Sequence, residues 1–304
     1  MTAMPDELDL PAGLTSRPLT RDDAAGVLAA IQAEELVDLG EAQMTLDDVL
    51  ADWQRPSYDI TASTLGVFDG DRLVAYADQN GGDVAFTAVA PDHQGRGIGT
   101  ALAAWVQAKA RAAGETRIST QVPEGSAADR LMADLGYRLR WTAWDFELPE
   151  GAELAAEPLP DGYTIRDATA ADHEAAWTLH EDAFLEWSDR ERATLEDFGA
   201  RVWDRPGFAP WNLRLLESPA GDVVGAVHVH LAGDIGYVAK IAVRPDHRGR
   251  RLAPPMLVDA FALARAHGAT RSFLSTDTRA GARGLYEKVG MVVDSTWVNR
   301  AIDL

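Results

Sequence analysis

Apolar residues along this chain alternate between the 3.6-residue period of a helix and the two-residue period of a strand, and the whole pattern runs twice. In the first run, apolar spacing predicts helices over 24–36 and 45–53. Short strands are expected at 64–68, 73–78 and 84–89, divided by the turn sequences Asp69-Gly70-Asp71 and Asn80-Gly81-Gly82-Asp83. A long helix over 98–113 stops at Gly114, and a strand at 118–122, a helix at 127–135 and a strand at 139–148 follow. The second run has helices at 171–186 and 195–203 and strands at 213–217, 223–231 and 237–243. Its long helix covers 252–267, ahead of a strand at 273–276, a helix at 280–289 and a strand at 292–302. Hairpins followed by strand–helix–strand crossovers predict an α/β fold, with a mixed, mostly antiparallel sheet flanked by helices in each half.

The repeat is also written in the residues themselves. Ala88–Arg96 reads AVAPDHQGR and Ala242–Arg250 reads AVRPDHRGR, a constant offset of 154 residues. The same offset pairs Ala110-Arg111-Ala112 with Ala264-Arg265-Ala266, and Ala128, Leu131 and Gly136 with Ala282, Leu285 and Gly290. Arg17, Thr20 and Asp23 recur as Arg166, Thr169 and Asp172 at a slightly different offset. Two copies of one domain account for this pattern. The stretch from Pro149 to Gly162 mixes Pro, Gly and acidic residues, as a solvated linker does. The expected division is therefore a domain over 1–150, a linker over 151–162 and a second domain over 163–304.

Composition narrows the function. Asp plus Glu number 48 against 28 Lys plus Arg, a net charge of −20. That balance disfavours binding to nucleic acid, which relies on cations neutralising phosphates, and suits a cationic small molecule. Cysteine is absent, which excludes thiolate nucleophiles, disulfides and Cys-ligated metals. No apolar run approaches the roughly 18 residues of a membrane span, and the acidic start does not read as a secretory signal, so a cytoplasmic protein is expected.

Gln94-Gly95-Arg96-Gly97-Ile98-Gly99-Thr100 joins a strand to a long helix. Glycines let backbone amides approach a ligand closely, and a helix start favours negative charge, so this loop is suited to a pyrophosphate. It is neither a Rossmann fingerprint nor a P-loop, since the third Gly of one and the Gly-Lys-Ser/Thr ending of the other are missing. The pattern Gln94-x-x-Gly97-x-Gly99, with Ala282-x-x-Leu285-Tyr286 ahead of Gly290-Met291, resembles the GNAT superfamily of acyl-CoA-dependent N-acetyltransferases, in its tandem two-domain form. The resemblance covers nearly the whole chain. It implies acetyl-CoA as co-substrate, with the pyrophosphate on the loop amides. The pantetheine arm is then expected along Thr87, Ala88 and Val89 in the first half, or Ile241, Ala242 and Val243 in the second. It also implies Tyr286 as the acid that protonates the leaving thiolate.

The two halves depart from the family pattern in complementary ways. At the position of Tyr286 the first half has Met132, which has no proton to give. The second half has the Tyr but a changed loop, Arg248-Gly249-Arg250-Arg251-Leu252-Ala253, with Arg251 in place of the middle Gly and Pro254 in place of Thr100. Three readings stay open on sequence. Both halves bind acetyl-CoA and the second is catalytic; or the first binds and catalyses; or the protein is a non-catalytic acyl-CoA-binding module.

The resemblance places the acceptor between the first two helices of a half. Glu34 and Glu35 lie there in the first half, and Glu181 and Trp187 in the second, acidic and aromatic groups that suit an amine. His228 and His230 share one face of a strand. They are candidates for a general base with Asp234 or for a packed polar face; no third ligand at clear spacing is visible, so no metal is expected. The expected reaction is acetyl transfer to a primary amine of a small molecule, without membrane or nucleic-acid partners.

Overall fold

Arg17, Thr20 and Asp23 fold into one small device in the computed structural model, which describes residues 8–304. The reading of the chain start as lacking a signal falls mostly on residues outside that range. Strand β1 (Leu14–Arg17) ends in Arg17, whose guanidinium holds Asp23 at 2.7 Å, while the Thr20 amide donates to the same carboxylate at 2.8 Å. This capping box launches helix α1 (Ala24–Asp38). Helix α2 (Leu46–Trp53) starts from the same Thr-x-x-Asp pattern at Thr45 and Asp48. A single turn, α3 (Ile60–Ser63), leads into β2 (Thr64–Asp69), β3 (Arg72–Asp78) and β4 (Phe86–Val89), which with β1 form an antiparallel sheet in the order β1-β2-β3-β4. Helix α4 (Ile98–Ala112), β5 (Arg117–Pro123), α5 (Ala127–Asp134) and β6 (Arg138–Glu147) follow.

Each face of this sheet has its own core. On one face Ile98, Leu102, Val106 and Ala110 of α4, spaced four apart, bury against Leu65, Val67, Val74 and Ala75. On the other, Val27, Ala30 and Ile31 of α1 pack with Val49, Trp53, Phe68, Tyr76 and Ala88. Strand β4 meets β5 only at its entry, where Ala85 N donates to Ser119 O (2.8 Å) and Ser119 N to Asp83 O (2.7 Å). From Phe86 onward no β4–β5 ladder is formed, which leaves a splayed gap beside β4.

The second half repeats this order. Arg166 at the end of β7 (Thr164–Asp167) holds Asp172 at 2.8 Å, and α6 (His173–Leu185) follows, then α7 (Leu195–Arg201). Strands β8 (Leu213–Glu217), β9 (Val223–Ala232) and β10 (Ile235–Val243) continue the antiparallel order β7-β8-β9-β10. Helix α8 (Ala253–Ala266), β11 (Arg271–Asp277), α9 (Arg283–Lys288) and β12 (Val292–Asp303) complete the chain. β10 and β11 pair in parallel from Ile235 to Val238 and then part, where β10 also has an irregularity in its pairing with β9 between Val238 and Lys240. The same splay thus recurs.

The compact units cross the boundaries expected from sequence. One runs to Thr142 and takes in Thr296–Leu304; the other is Ala143–Ser295. In the first, Trp297–Asp303 of β12 pair antiparallel with β5; in the second, Ala143–Glu147 of β6 pair with β11. Each unit is closed by the last strand of the other half. Sequence repetition records the order of elements, not the sheet that a strand joins, so the expected 1–150 and 163–304 domains missed this exchange.

Nor is 151–162 a free linker. Ala155 N donates to Val289 O at 2.9 Å, and Leu154 and Leu159 pack on the second unit's core. β1, α3 and β7, at four residues each, are too short to show a period and were not expected. Helix α9 is shorter than expected because Asp277 Oδ1 accepts the amides of Arg279 and Ala280 (2.8 and 3.3 Å), turning the chain before the helix begins. Among the described residues no helix is long and apolar enough to cross a membrane.

Candidate active site

The glycine loop of the first unit presents bare amides. Gly95 (φ 71°) and Gly97 (φ 89°) take left-handed backbone that other residues adopt only at a cost, and Gly97 caps α4. A Cβ on either would meet nothing within 4 Å, so the space over the loop is open. The first return bond is Ala101 N to Gly97 O at 3.0 Å, which leaves the amides of Ile98, Gly99 and Thr100 without intrahelical acceptors at the positive end of a helix. That is an anion cradle, and it fits a pyrophosphate. Ile98 contributes only its amide, because its side chain is buried in the core. Gly99 has a second reason to be Gly: a Cβ there would stand 2.7 Å from Leu131 Cδ2 of α5.

The second unit keeps the loop's path with different chemistry. Gly249 has φ 75°, and Arg251, at the place of Gly97, has φ 57°; among the described residues it is the one non-glycine in left-handed backbone. Such a conformation costs about 1–2 kcal/mol in an L-residue. Ala253 opens α8, and Pro254 removes the amide that Thr100 provides in the first unit. The loop's arginines are engaged by protein. Arg248 takes Glu186 with two bonds (2.6 and 2.7 Å), Arg250 donates to Tyr163 Oη (3.0 Å), and Arg251 pairs with Glu157 (2.7 Å). Neither Tyr163 nor Glu157 was singled out from sequence; each lies about ninety residues from its partner, with no spacing to signal it.

Register fixes which main-chain groups face each splay. Ala90 N bonds Val74 O, so in β4 the amides of Thr87 and Val89 point away from β3, while Ala88 pairs with Tyr76. Likewise Arg244 N bonds Val224 O, which turns Ile241 and Val243 outward and commits Ala242 to Ala226. Ala88 and Ala242, expected to contact cofactor, therefore spend their main chains within the sheet.

Beside each splay stands a carboxylate, from within α1 in the first unit and from the residue just after α6 in the second. In the first unit Gln94 Nε2 donates to Val89 O (3.1 Å) and lies 3.5 Å from Glu34 Oε1. Burial pushes the Glu34 carboxyl up to about 8, helped by Asp38 and Glu35, while the Val89 amide favours its charged form. In the second unit Arg248 Nε donates to Val243 O (2.8 Å), and the hydrogen bonds from Arg248 hold Glu186 below the usual carboxylate range.

Tyr286 is buried in the second unit, 5.7 Å ring to ring from Phe146, and burial pushes its phenol up to about 12. Its hydroxyl has no hydrogen bond to a described residue. The other acceptor-side candidates divide by role. Glu35 accepts the amides of Gln43 and Met44 (2.8 and 3.0 Å) and so ties down the loop after α1. Glu181 is held by Arg190 (2.7 and 2.9 Å) and the Ala193 amide (2.9 Å). Trp187 lies under Arg279, 4.8 Å from the ring centroid. His228 and His230 are buried 5.5 Å apart, and burial, with the neighbouring His230, His180, Arg205 and Lys240, drives His228 well below its ordinary value, so it is neutral. The Asp234 carboxylate accepts instead from Thr270 Oγ1 at 2.6 Å, while the Thr270 amide donates to the Asp234 main-chain carbonyl at 2.8 Å. No group of three or more His, Asp or Glu among the described residues is arranged to hold a metal.

Comparison with known proteins agrees with this geometry. The family model described as acetyltransferase (GNAT) family matches residues 28–137 and again 172–291. The mycothiol acetyltransferase of Salinispora arenicola is 31% identical over 259 residues, covering 82% of this chain and 83% of its own. That of Thermobispora bispora is 30% identical, covering 75% of this chain and 80% of its own. Among solved structures, a GCN5-related N-acetyltransferase from Sphaerobacter thermophilus superimposes with a TM-score of 0.74 at 24% identity, over 97% of this chain and 96% of that one. A tandem GNAT protein from the clavulanic acid biosynthesis pathway gives 0.71 at 18% identity, over 95% and 98%.

Proposed function

This chain belongs to the acetyltransferase (GNAT) family, and from that premise we propose that its first unit binds acetyl-CoA and passes the acetyl group to a primary amine of a small molecule. The observation that carries the choice of unit is the contrast between the loops. Gly95 to Thr100 offer open, unspent amides, whereas the second loop carries Arg251 and Pro254 and has its arginines tied to Glu186, Tyr163 and Glu157.

The residues supply what acyl transfer asks for. The loop amides hold the phosphates of the donor, and the outward carbonyl of Thr87 is left to pair with its arm, the Val89 main chain being taken by Gln94 and Glu34. The Thr87 amide faces the splay, where it stabilises negative charge growing on the thioester oxygen; one such donor is worth roughly 10²–10³ in rate. With Met132 in place of a tyrosine, the departing thiolate takes its proton from solvent. An amine acceptor is supported by the acidic surroundings of α1. The relatives named for mycothiol support a small-molecule acceptor, and the deacetylated form of mycothiol belongs in the first panel of amines tested.

One observation favours a second reading. Tyr286 keeps a hydroxyl that no described residue bonds, which fits an acid acting in the second unit. The test of function is release of CoA thiol on mixing acetyl-CoA, protein and a panel of primary amines. The chain itself contains no cysteine, so with amines that carry no thiol every thiol detected comes from the donor, and a thiol-bearing amine is scored by its acetylated product. Amine-dependent thiol release with a matching acetylated product supports the proposal. Acetyl-CoA binding with no release for any amine class removes it.

A further inference from the structure

We infer that Glu34 is the proton acceptor of the first unit, taking the proton that an acceptor ammonium must lose before its nitrogen attacks. The inference rests on the reading of the first unit as the site of acetyl transfer.

The placement comes from the register of β4. Thr87 and Val89 turn their amides into the same gap, and Glu34 reaches in from α1 beside Val89, where Gln94 caps the Val89 carbonyl. Two residues along a strand span roughly 6.6–6.8 Å. The carboxylate therefore stands one pleat repeat from the amide that faces the thioester, a separation bridged by the amine itself or by one water. Its neighbour Glu35 is committed to the Gln43 and Met44 amides and has no such freedom.

The charges around Glu34 fit the role. Asp38 and Glu35 act on it from its own helix, Gln94 is neutral, and Arg130 of α5 acts on Asp38. Burial with these acidic neighbours brings the carboxyl to exchange its proton near pH 8. The second unit shows what a cation does at the same place: Arg248 pairs with Glu186 and keeps it ionised and occupied. Gln94 in place of an arginine leaves Glu34 without the cation that occupies Glu186, which is also the more exposed of the two.

The proton count closes. The ammonium gives one proton to Glu34, and the freed lone pair forms the C–N bond at the thioester carbon. As the C–S bond breaks, sulfur leaves with the electron pair and gains a proton, while the nitrogen loses its second proton to become the amide. Glu34 then returns its proton to solvent.

Two measurements on the full chain test this. In a carboxyl-carbon NMR titration of glutamate-labelled protein, one resonance should titrate near pH 8 and vanish in Glu34→Gln. In the pH profile of kcat/KM, an ascending limb through the same pH should be lost in Glu34→Gln, with kcat/KM reduced about 10²–10⁴-fold and calorimetric acetyl-CoA affinity retained. Gln94→Arg, which recreates the second unit's pair, should move both the resonance and the limb to lower pH. A Glu34 carboxyl that titrates in the ordinary range overturns the assignment, as does a limb that survives in Glu34→Gln. Failure of the wild-type first unit to bind acetyl-CoA instead overturns the reading beneath it, and the NMR titration tells the two failures apart.

Discussion

Arg248 grips Glu186 through two hydrogen bonds of 2.6 and 2.7 Å, at the place where Gln94 faces Glu34 in the other unit. Both Gln94 and Arg248 also cap the carbonyl that ends the splayed strand, Val89 and Val243 respectively. The capping position is the same, while its charge and the burial of the carboxylate it meets differ. One unit keeps a carboxyl that exchanges protons near neutral pH beside open amides; the other has spent its carboxylate on an arginine.

The raised Glu34 carboxyl has a consequence for stability. Between pH 4.5 and about 8 the folded chain keeps a proton that the unfolded chain has released, so stability falls as pH rises through that window. Glu34→Gln removes this dependence. Thermal melts at pH 5 and pH 8.5 should show a smaller drop for Glu34→Gln than for wild type; equal drops would contradict the burial of the charge.

Gly99 is held to glycine by packing as much as by ligand. Gly99→Ala places a methyl 2.7 Å from Leu131 Cδ2, the end of a half-buried side chain that can turn aside, and alanine favours the helix, so the net cost should stay below about 1 kcal/mol. Combined with Leu131→Ala, the clash disappears, so a denaturant double-mutant cycle should show coupling above roughly 0.5 kcal/mol. Additive effects would place the constraint elsewhere.

Left-handed backbone at Gly97 and Arg251 predicts unequal swaps. Gly97→Arg should lose about 1–2 kcal/mol of stability. Arg251→Gly relieves that cost but gives up an exposed pair with Glu157, worth about 0–1 kcal/mol, and adds glycine's backbone entropy, about 0.5–1 kcal/mol. Its net change should be close to zero by urea unfolding.

Tyr286→Phe should leave kcat almost unchanged and stability equal or slightly higher, because the hydroxyl it removes has no partner among the described residues. A fall in kcat of about 10²-fold or more would move the chemistry to the second unit.

Much of this was legible in sequence, and for physical reasons. Glycines at 95, 97 and 99 declare a close-approach loop into a helix, the apolar spacing declares the long helices, and the 154-residue offset declares two copies. Each is a local signal. What sequence missed is non-local. Trp297–Asp303 closing the first unit, Leu154 and Leu159 packing under a supposed linker, and Arg248 reaching Glu186 depend on chain paths that no spacing records. Glu34 was placed on the acceptor side by position along α1, but its distinction from Glu35 came only with burial and with the amides Glu35 accepts.

The most direct test of the central claim is calorimetric titration with acetyl-CoA of the wild-type chain and of Gly97→Glu and Gly249→Glu. A glutamate at either position sets negative charge over the amides that would meet the pyrophosphate. The account predicts one strong site, abolished by Gly97→Glu and unaffected by Gly249→Glu. Binding that survives Gly97→Glu and disappears in Gly249→Glu would contradict it.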